Sequence, residues 1–436
     1  VPWHHTSLYE ANNPGEDRHV AVFSKDLGVH VYCVCDGHGG SRAAQFTCDH
    51  LVGEVLERLG MVICVGGITE GESRLRTGTR ASTAAATAAA TAAVSQDGRV
   101  QVGLSDAVDA VEGDIRSLLV DSFLECDRSF IAQLDPKKNK GYINAGCCVV
   151  VALLIRSKLY VAHVGDCRAV LGTSDATRLK YSGGGIRSGG PAVGTTGEVA
   201  ATFKNDGGSS NSNIAIYAVP LTRDHNCDDK DEVAIVEARS GDENAVRVSR
   251  NDEWKGATAI KRVAGSLAVT RAIGDAYLKE ASFSFTPYKE RVPYITAEPE
   301  VNCFNLNAAD EFLVLATDGV WEQATNEEVV HWVAGALNAL SVEGGKTEES
   351  AAPITESGLE VGSPRTRSSK KSAQRAATSA TSDAVVNQIL MRSAKAHGMS
   401  LPTLKQLPLG SSRRVLHDDI CATVIRLPAP PPPQYA

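Results

Sequence analysis

No Cys-x-x-Cys pair occurs in this 436-residue chain, although it carries 11 cysteines. Neither a zinc ribbon nor a thioredoxin-like redox site is therefore expected. Cys33, Cys35, Cys147 and Cys148 stand inside apolar runs and read as reduced core thiols of a cytoplasmic or nuclear protein. Long apolar runs are also missing; the longest, residues 146–155, is about half of what a bilayer needs, so no membrane span is expected. A basic block is absent too. With 44 Lys and Arg against 52 Asp and Glu, the net charge is −8, which argues against nucleic acid as a partner. The chain opens at Val1 rather than at a methionine, and no targeting segment is expected within it.

What is present is ordinary globular material, 43% hydrophobic and 22% charged, enough for a sizeable core. Residues 61–103, 173–213 and 342–381 are rich in small and polar residues without apolar periodicity and read as low-complexity insertions. Residues 428–436 form a proline-rich tail. Without these, residues 1–427 make one domain with large loops, expected to be a monomer. Apolar segments predict strands at 30–35, 147–155, 159–164, 168–171, 311–316 and 420–427, with a hairpin at 156–158. Apolar residues three and four apart predict helices at 41–59 and 105–132. A capping-box pattern at Thr325 and Glu328 opens a third at 326–340, and Ser382 and Gly398 bracket a fourth. Strands and helices interleave without strict β-α-β alternation, which points to layered α+β packing.

The chemistry lies where the strands stop. One apolar segment ends in Asp36-Gly37-His38-Gly39-Gly40, another in Asp318-Gly319, a third in Asp166, and the last begins after His417-Asp418-Asp419. Carboxylates gathered at one rim repel each other unless cations share the site. Oxygen donors suit hard divalent ions, and Mg²⁺ or Mn²⁺ suits better than Ca²⁺ because no calcium-loop pattern is present. Glycine lets the backbone approach closely, so the Gly37 carbonyl is a further candidate ligand. Taken singly, each Asp-Gly is an ordinary turn, and their order along the chain is what makes them specific.

In that order the blocks NPGEDR (13–18), VCDGHGG (34–40), LYVAHVGDCRAVLG (159–172), LTRDHN (221–226), RVAGSLAVTRAIGD (262–275), PYITAEPEV (293–301), FLVLATDGVWE (312–322) and HDDICATV (417–424) resemble the metal-dependent serine/threonine protein phosphatases of type 2C, the PPM family. The closest pattern is the plant branch related to pyruvate dehydrogenase phosphatase. The resemblance implies a four-layer α-β-β-α sandwich, two antiparallel sheets flanked by helices, with two Mg²⁺ or Mn²⁺ ions at the rim between the sheets. Asp36 would bridge both ions, Asp318 and Asp418 would complete one, and the Gly37 carbonyl the other. Glu16 would hold a water on the second ion with Asp17 behind it, and Asp166 with Asp318 matches a weaker third position. His38 matches the acid that protonates the leaving group. The implied activity is hydrolysis of phosphoserine and phosphothreonine in a phosphoprotein partner, by direct attack of an activated water. A pseudophosphatase scaffold, a hydrolase of small phosphate esters and a mitochondrial pyruvate dehydrogenase phosphatase-like enzyme remain the alternatives.

Three departures stand out. Asn12 occupies the position where the family usually has an arginine that clamps substrate phosphate, with Arg18 as a substitute only if it points inward. Glu322 replaces a common aspartate. Cys147-Cys148 stands where the family has a small Ser or Thr after Gly146. Apart from these, Cys33 and Cys35 lack the Cys-x5-Arg loop of cysteine phosphatases and read as core.

Overall fold

The computed structural model describes residues 2–65, 112–135, 142–183, 201–204, 213–248, 260–346 and 366–427. Its strands run in chain order β1 (Trp3–Tyr9), β2 (Arg18–Ser24), β3 (Val29–His38), β4 (Gly146–Ile155), β5 (Lys158–Val164), β6 (Arg168–Thr173), β7 (Ala201–Lys204), β8 (Asn213–Pro220), β9 (Val246–Val248), β10 (Lys261–Val263), β11 (Ile273–Gly274), β12 (Glu300–Asn305), β13 (Asp310–Ala316) and β14 (Ile420–Arg426). The helices are α1 (Arg42–Val65), α2 (Glu112–Ile131), α3 (Lys230–Ser240), α4 (Asp318–Trp321), α5 (Asn326–Lys346), α6 (Thr366–Ala396), α7 (Leu401–Gln406) and α8 (Ser411–Arg414).

Two antiparallel sheets result. One is ordered β1-β14-β13-β6-β8-β7, the other β12-β5-β4-β3-β2 with β11 added to the end of β4. Alternation along each strand distributes the side chains between layers. Val29, Val31, Cys33 and Cys35 of β3 pack under α1 and α2, against Leu51, Val55, Leu119 and Phe123. Tyr32 and Val34 point the other way, to meet Leu313, Leu315 and Cys421 of the facing sheet. Phe312, Val314, Ile420 and Val424 then face Val330, Val333, Ile389 and Leu390 of α5 and α6. Both faces of both sheets are covered. That is why the expected strands read as continuous apolar runs, β4 being buried at every position. The four-layer α-β-β-α sandwich is the observed architecture.

The expected strands and the 156–158 hairpin all appear, Arg156 turning it at φ 56°. Cys33 and Cys35 share the helix side, their Sγ atoms 3.6 Å apart. The capping box also forms: the Thr325 N–H donates to Glu328 Oε2 at 3.0 Å, and the Glu328 N–H to Thr325 Oγ1 at 3.3 Å. Ser382 differs from its expected capping role. The helix begins at Thr366, in a run of Ala, Ser, Thr, Lys and Arg without Gly or Pro to break it. Ser382 is buried mid-helix, its hydroxyl 2.8 Å from that of Ser7 on β1. Gly398 does end the helix, at φ 65°. The N–H groups of Gly398 and Met399 bond the carbonyls of Lys395 and Ala394, a Schellman ending.

Regular structure also enters the stretches read as insertions. The first helix continues to Val65, β7 within 173–213 pairs with β8, and α5 and α6 reach to Lys346 and back to Thr366. The remainder of these stretches, helical positions 105–111 and the 428–436 tail lie outside the described residues. Among those described, no helix is long and apolar enough to cross a membrane.

Candidate active site

The crevice forms where strand ends from both sheets meet. Asp36 lies near the end of β3 opposite Cys148, Asp166 follows β5, and Asp318 opens α4 directly after β13. Each of the three can place a carboxylate oxygen within 4.8 Å of the other two. Burial pushes the Asp36 carboxyl well up, and Asp318, Asp17 and Asp166 push it further. Asp318 rises for the same reasons, burial first and then Asp166. Hard oxygen donors this close, from three separate elements, suit a divalent cation, which removes the repulsion that raises them. The residues present therefore fit Mg²⁺ or Mn²⁺.

Thr317 joins the segments that carry these groups. Its hydroxyl donates to Asp17 Oδ2 at 2.8 Å and accepts the Cys421 N–H at 3.0 Å. Asp17 is thereby held behind the cluster, buried and raised by that burial. Glu16 is half-buried. Its Oε1 accepts the Gly40 N–H at 2.6 Å and its Oε2 the Asn12 amide at 3.1 Å. A Cβ on Gly37 would stand 2.7 Å from the Glu16 carbonyl, so the strand end and the 11–16 loop touch only because position 37 is glycine. Asp418 lies beside this group rather than within the tight triad, ion-paired with Arg414. Its carboxyl is raised, by burial first. Glu322 is exposed, and its charge acts on Asp318.

His38 is paired. Its Nε2 lies 2.7 Å from Oδ2 of Asp275, a residue 1% exposed. Burial works to lower the imidazole pKa, but Asp275 outweighs it and raises the value to about 9, so the ring is held as a proton donor. Asp275 closes the RAIGD block and was not singled out from the sequence. Its only sequence signal is membership of that block.

Asp419 is a second residue that the sequence left without a role. It accepts the N–H groups of Ala11 at 2.5 Å, Asn12 at 2.9 Å and Glu16 at 2.6 Å, as well as the Asn12 side-chain amide at 3.2 Å. Burial would raise its carboxyl; these donors reverse that and lower it. The same loop holds Asn12, whose amide nitrogen donates to Glu16 and to Asp419. Arg18 points away, to Gln45 Oε1 at 2.8 Å and to the carbonyls of Gly15 and Asp17.

The family model described as protein phosphatase 2C matches residues 69–182 and 204–364, more than half of the chain. The chain belongs to the protein phosphatase 2C family. Asp166, Asp275 and Asp318 fall inside the matched spans, whereas Glu16, Asp36, His38 and Asp418 join the site through the fold. Among similar proteins, Probable protein phosphatase 2C 23 of Arabidopsis thaliana is 25% identical over 439 residues, covering 95% of this chain and 59% of that one. Probable protein phosphatase 2C 2 of the same plant is 27% identical over 317 residues, covering 72% and 52%. This chain spans about half the length of these relatives. The solved serine-threonine phosphatase 2C from Toxoplasma gondii aligns with a TM-score of 0.53 at 14% identity, over 97% of this chain and 94% of that one. That likeness supports the shared fold.

Proposed function

We propose that this chain is a Mg²⁺- or Mn²⁺-dependent protein serine/threonine phosphatase, acting on phosphoserine and phosphothreonine. The observation that carries the reading is the convergence of Asp36, Asp166 and Asp318 on the rim where the His38–Asp275 pair stands. Asp36, Asp318, Asp418 and the Gly37 carbonyl would hold two cations, with Glu16 beside them, Asp17 behind, and Asp166 offering a weaker third position. When bound, the cations neutralise phosphate charge and bring the pKa of a water toward neutrality.

The chain's own residues do the rest. His38, kept protonated by Asp275, hands its proton to the seryl or threonyl oxygen as the P–O bond breaks, so that no free alkoxide has to leave. Asp419 fixes the loop that carries Glu16 through four hydrogen bonds. No nucleophilic side chain is needed, and the buried thiols beside the site stay in the core.

The test is phosphate release from a phosphothreonine peptide with Mn²⁺, with Mg²⁺ and with EDTA, using Asp318→Asn as the control. Metal-dependent release lost in the variant supports the reading. No release from several peptides, with metal shown to bind, would favour a scaffold that keeps the fold without turnover. Failure to bind metal would overturn the site itself.

A further inference from the structure

Two adjacent arginines just before the last strand have opposite environments. Arg413 is buried. Its guanidinium donates to the carbonyls of Glu10 at 3.0 Å, Lys405 at 3.2 Å and Leu407, and lies 5.1 Å over the Tyr9 ring. Its job is anchoring. The Gly410 N–H adds a bond to the Ala11 carbonyl at 2.7 Å, so α8 is fastened to the loop that carries Asn12 and Glu16.

Arg414, the next residue, has a side chain 46% exposed and is ion-paired with Asp418 through Nη2. That ion pair and the Gly410–Ala11 bond set α8 beside both the segment that carries Asp418 and the loop that carries Glu16. A guanidinium carries five N–H donors, and even a bidentate carboxylate takes only two of them, which leaves donors to spare for a tetrahedral oxyanion.

We infer that Arg414 binds the phosphate of the substrate, supplying from the C-terminal side of the site the cation that Asn12 and Arg18 do not. The inference rests on the phosphatase reading above and specifies how that site holds its substrate. Asn12 has spent its amide on Glu16 and Asp419, and Arg18 is turned to Gln45, so neither competes for the role. Arg413 and the Gly410 bond fix the backbone beneath Arg414, leaving only its side chain to adjust when phosphate enters.

The experiment compares wild type, Arg414→Ala and Arg414→Lys, each saturated with Mn²⁺. Calorimetry would measure the binding of inorganic phosphate, and separately of Mn²⁺ alone; kinetics on a phosphothreonine peptide would give kcat and KM. Loss of a charge-assisted bond corresponds to roughly tenfold or more in affinity. In Arg414→Ala, KM and the phosphate dissociation constant should therefore rise together by about that factor, with Mn²⁺ affinity undiminished and Lys restoring part of the loss. Equal phosphate affinity in Arg414→Ala and wild type would overturn the assignment. So would weaker Mn²⁺ binding and lower kcat at unchanged KM, since Arg414 would then serve to position Asp418. A wild type that binds phosphate but releases none from any peptide would sink the phosphatase reading alone, because the calorimetric comparison still judges Arg414.

Discussion

His38 Nε2 and Asp275 Oδ2 meet at 2.7 Å directly above Gly146. A Cβ built on that glycine would lie 2.1 Å from Asp275 Oδ2 and 2.5 Å from His38 Nε2. The first residue of β4 thus has no side chain because the acid and its partner occupy that space. Asp275 keeps the imidazole charged against the pull of burial, and Gly146 keeps the two in contact.

If His38 protonates the leaving oxygen, its importance depends on the leaving group. Replacing His38 by Ala should slow phosphothreonine hydrolysis by about 10²–10⁴-fold and hydrolysis of p-nitrophenyl phosphate much less, because nitrophenolate departs without a proton. Asp275→Asn should show the same asymmetry in weaker form. Steady-state rates on the two substrates decide it; equal losses on both would remove His38 from the acid role.

Gly146→Ala should reproduce the Asp275→Asn asymmetry, since the added methyl forces the pair apart. Overpacking of this kind costs about 1–3 kcal/mol, so the variant should still fold with a lowered melting temperature. Circular dichroism with the same two-substrate assay would check it, and full peptide activity would contradict the contact.

Asp318→Asn should abolish turnover and yet stabilise the metal-free protein. Burial and neighbouring carboxylates raise Asp318 and Asp36 together, so removing one charge relieves repulsion in the apo state. A gain of about 2–4 °C in melting temperature with EDTA present is expected. Wild type should gain stability on adding Mn²⁺ by mass action, and the variant should gain much less. A variant that melts below wild type in EDTA would mean the carboxylates do not repel as placed.

Glu232 on α3 makes a prediction independent of metal. Its Oε2 accepts Thr270 Oγ1 at 2.7 Å and Arg271 Nε at 2.9 Å, and its Oε1 accepts Arg271 Nη2 at 2.5 Å. Burial would raise its carboxyl, but Arg271 overrides this and lowers it from 4.5 to about 2. The folded value lies below the unfolded one, so the ionised group contributes its full stabilisation above about pH 4.5 and loses it as pH falls toward 2. Glu232→Gln should destabilise the protein by about 3–5 kcal/mol at pH 7, and the gap to wild type should shrink by pH 3. Urea titrations at both pH values would measure it; a gap constant with pH would refute the ionised pair.

Much of the site was legible because strand-terminal carboxylates beside glycine announce themselves. Asp36, Asp166 and Asp318 sit at the ends of apolar runs, and alternation along β3 assigned Cys33 and Cys35 to one face. The partner of His38 was not legible in the same way. Asp275 lies 237 positions away, at the end of a segment with no periodicity to place it. Strand β1, WHHTSLY, carries too little apolar alternation to stand out, and is a strand because β14 pairs with it along its whole length.

By itself, then, the sequence determined which residues are apolar, where their runs stop and which carboxylates flank the stops. Those are local properties, carried by hydrophobic period and turn chemistry. Tertiary structure alone decided which neighbours each polar group acquired. Asp419 took the loop N–H groups that make it low, Asp275 took His38, Asn12 was drawn into the loop, and Arg414 was paired with Asp418. A hydrogen bond requires two groups within about 3 Å, and spacing along the chain does not encode that distance for segments that meet only when two sheets pack together.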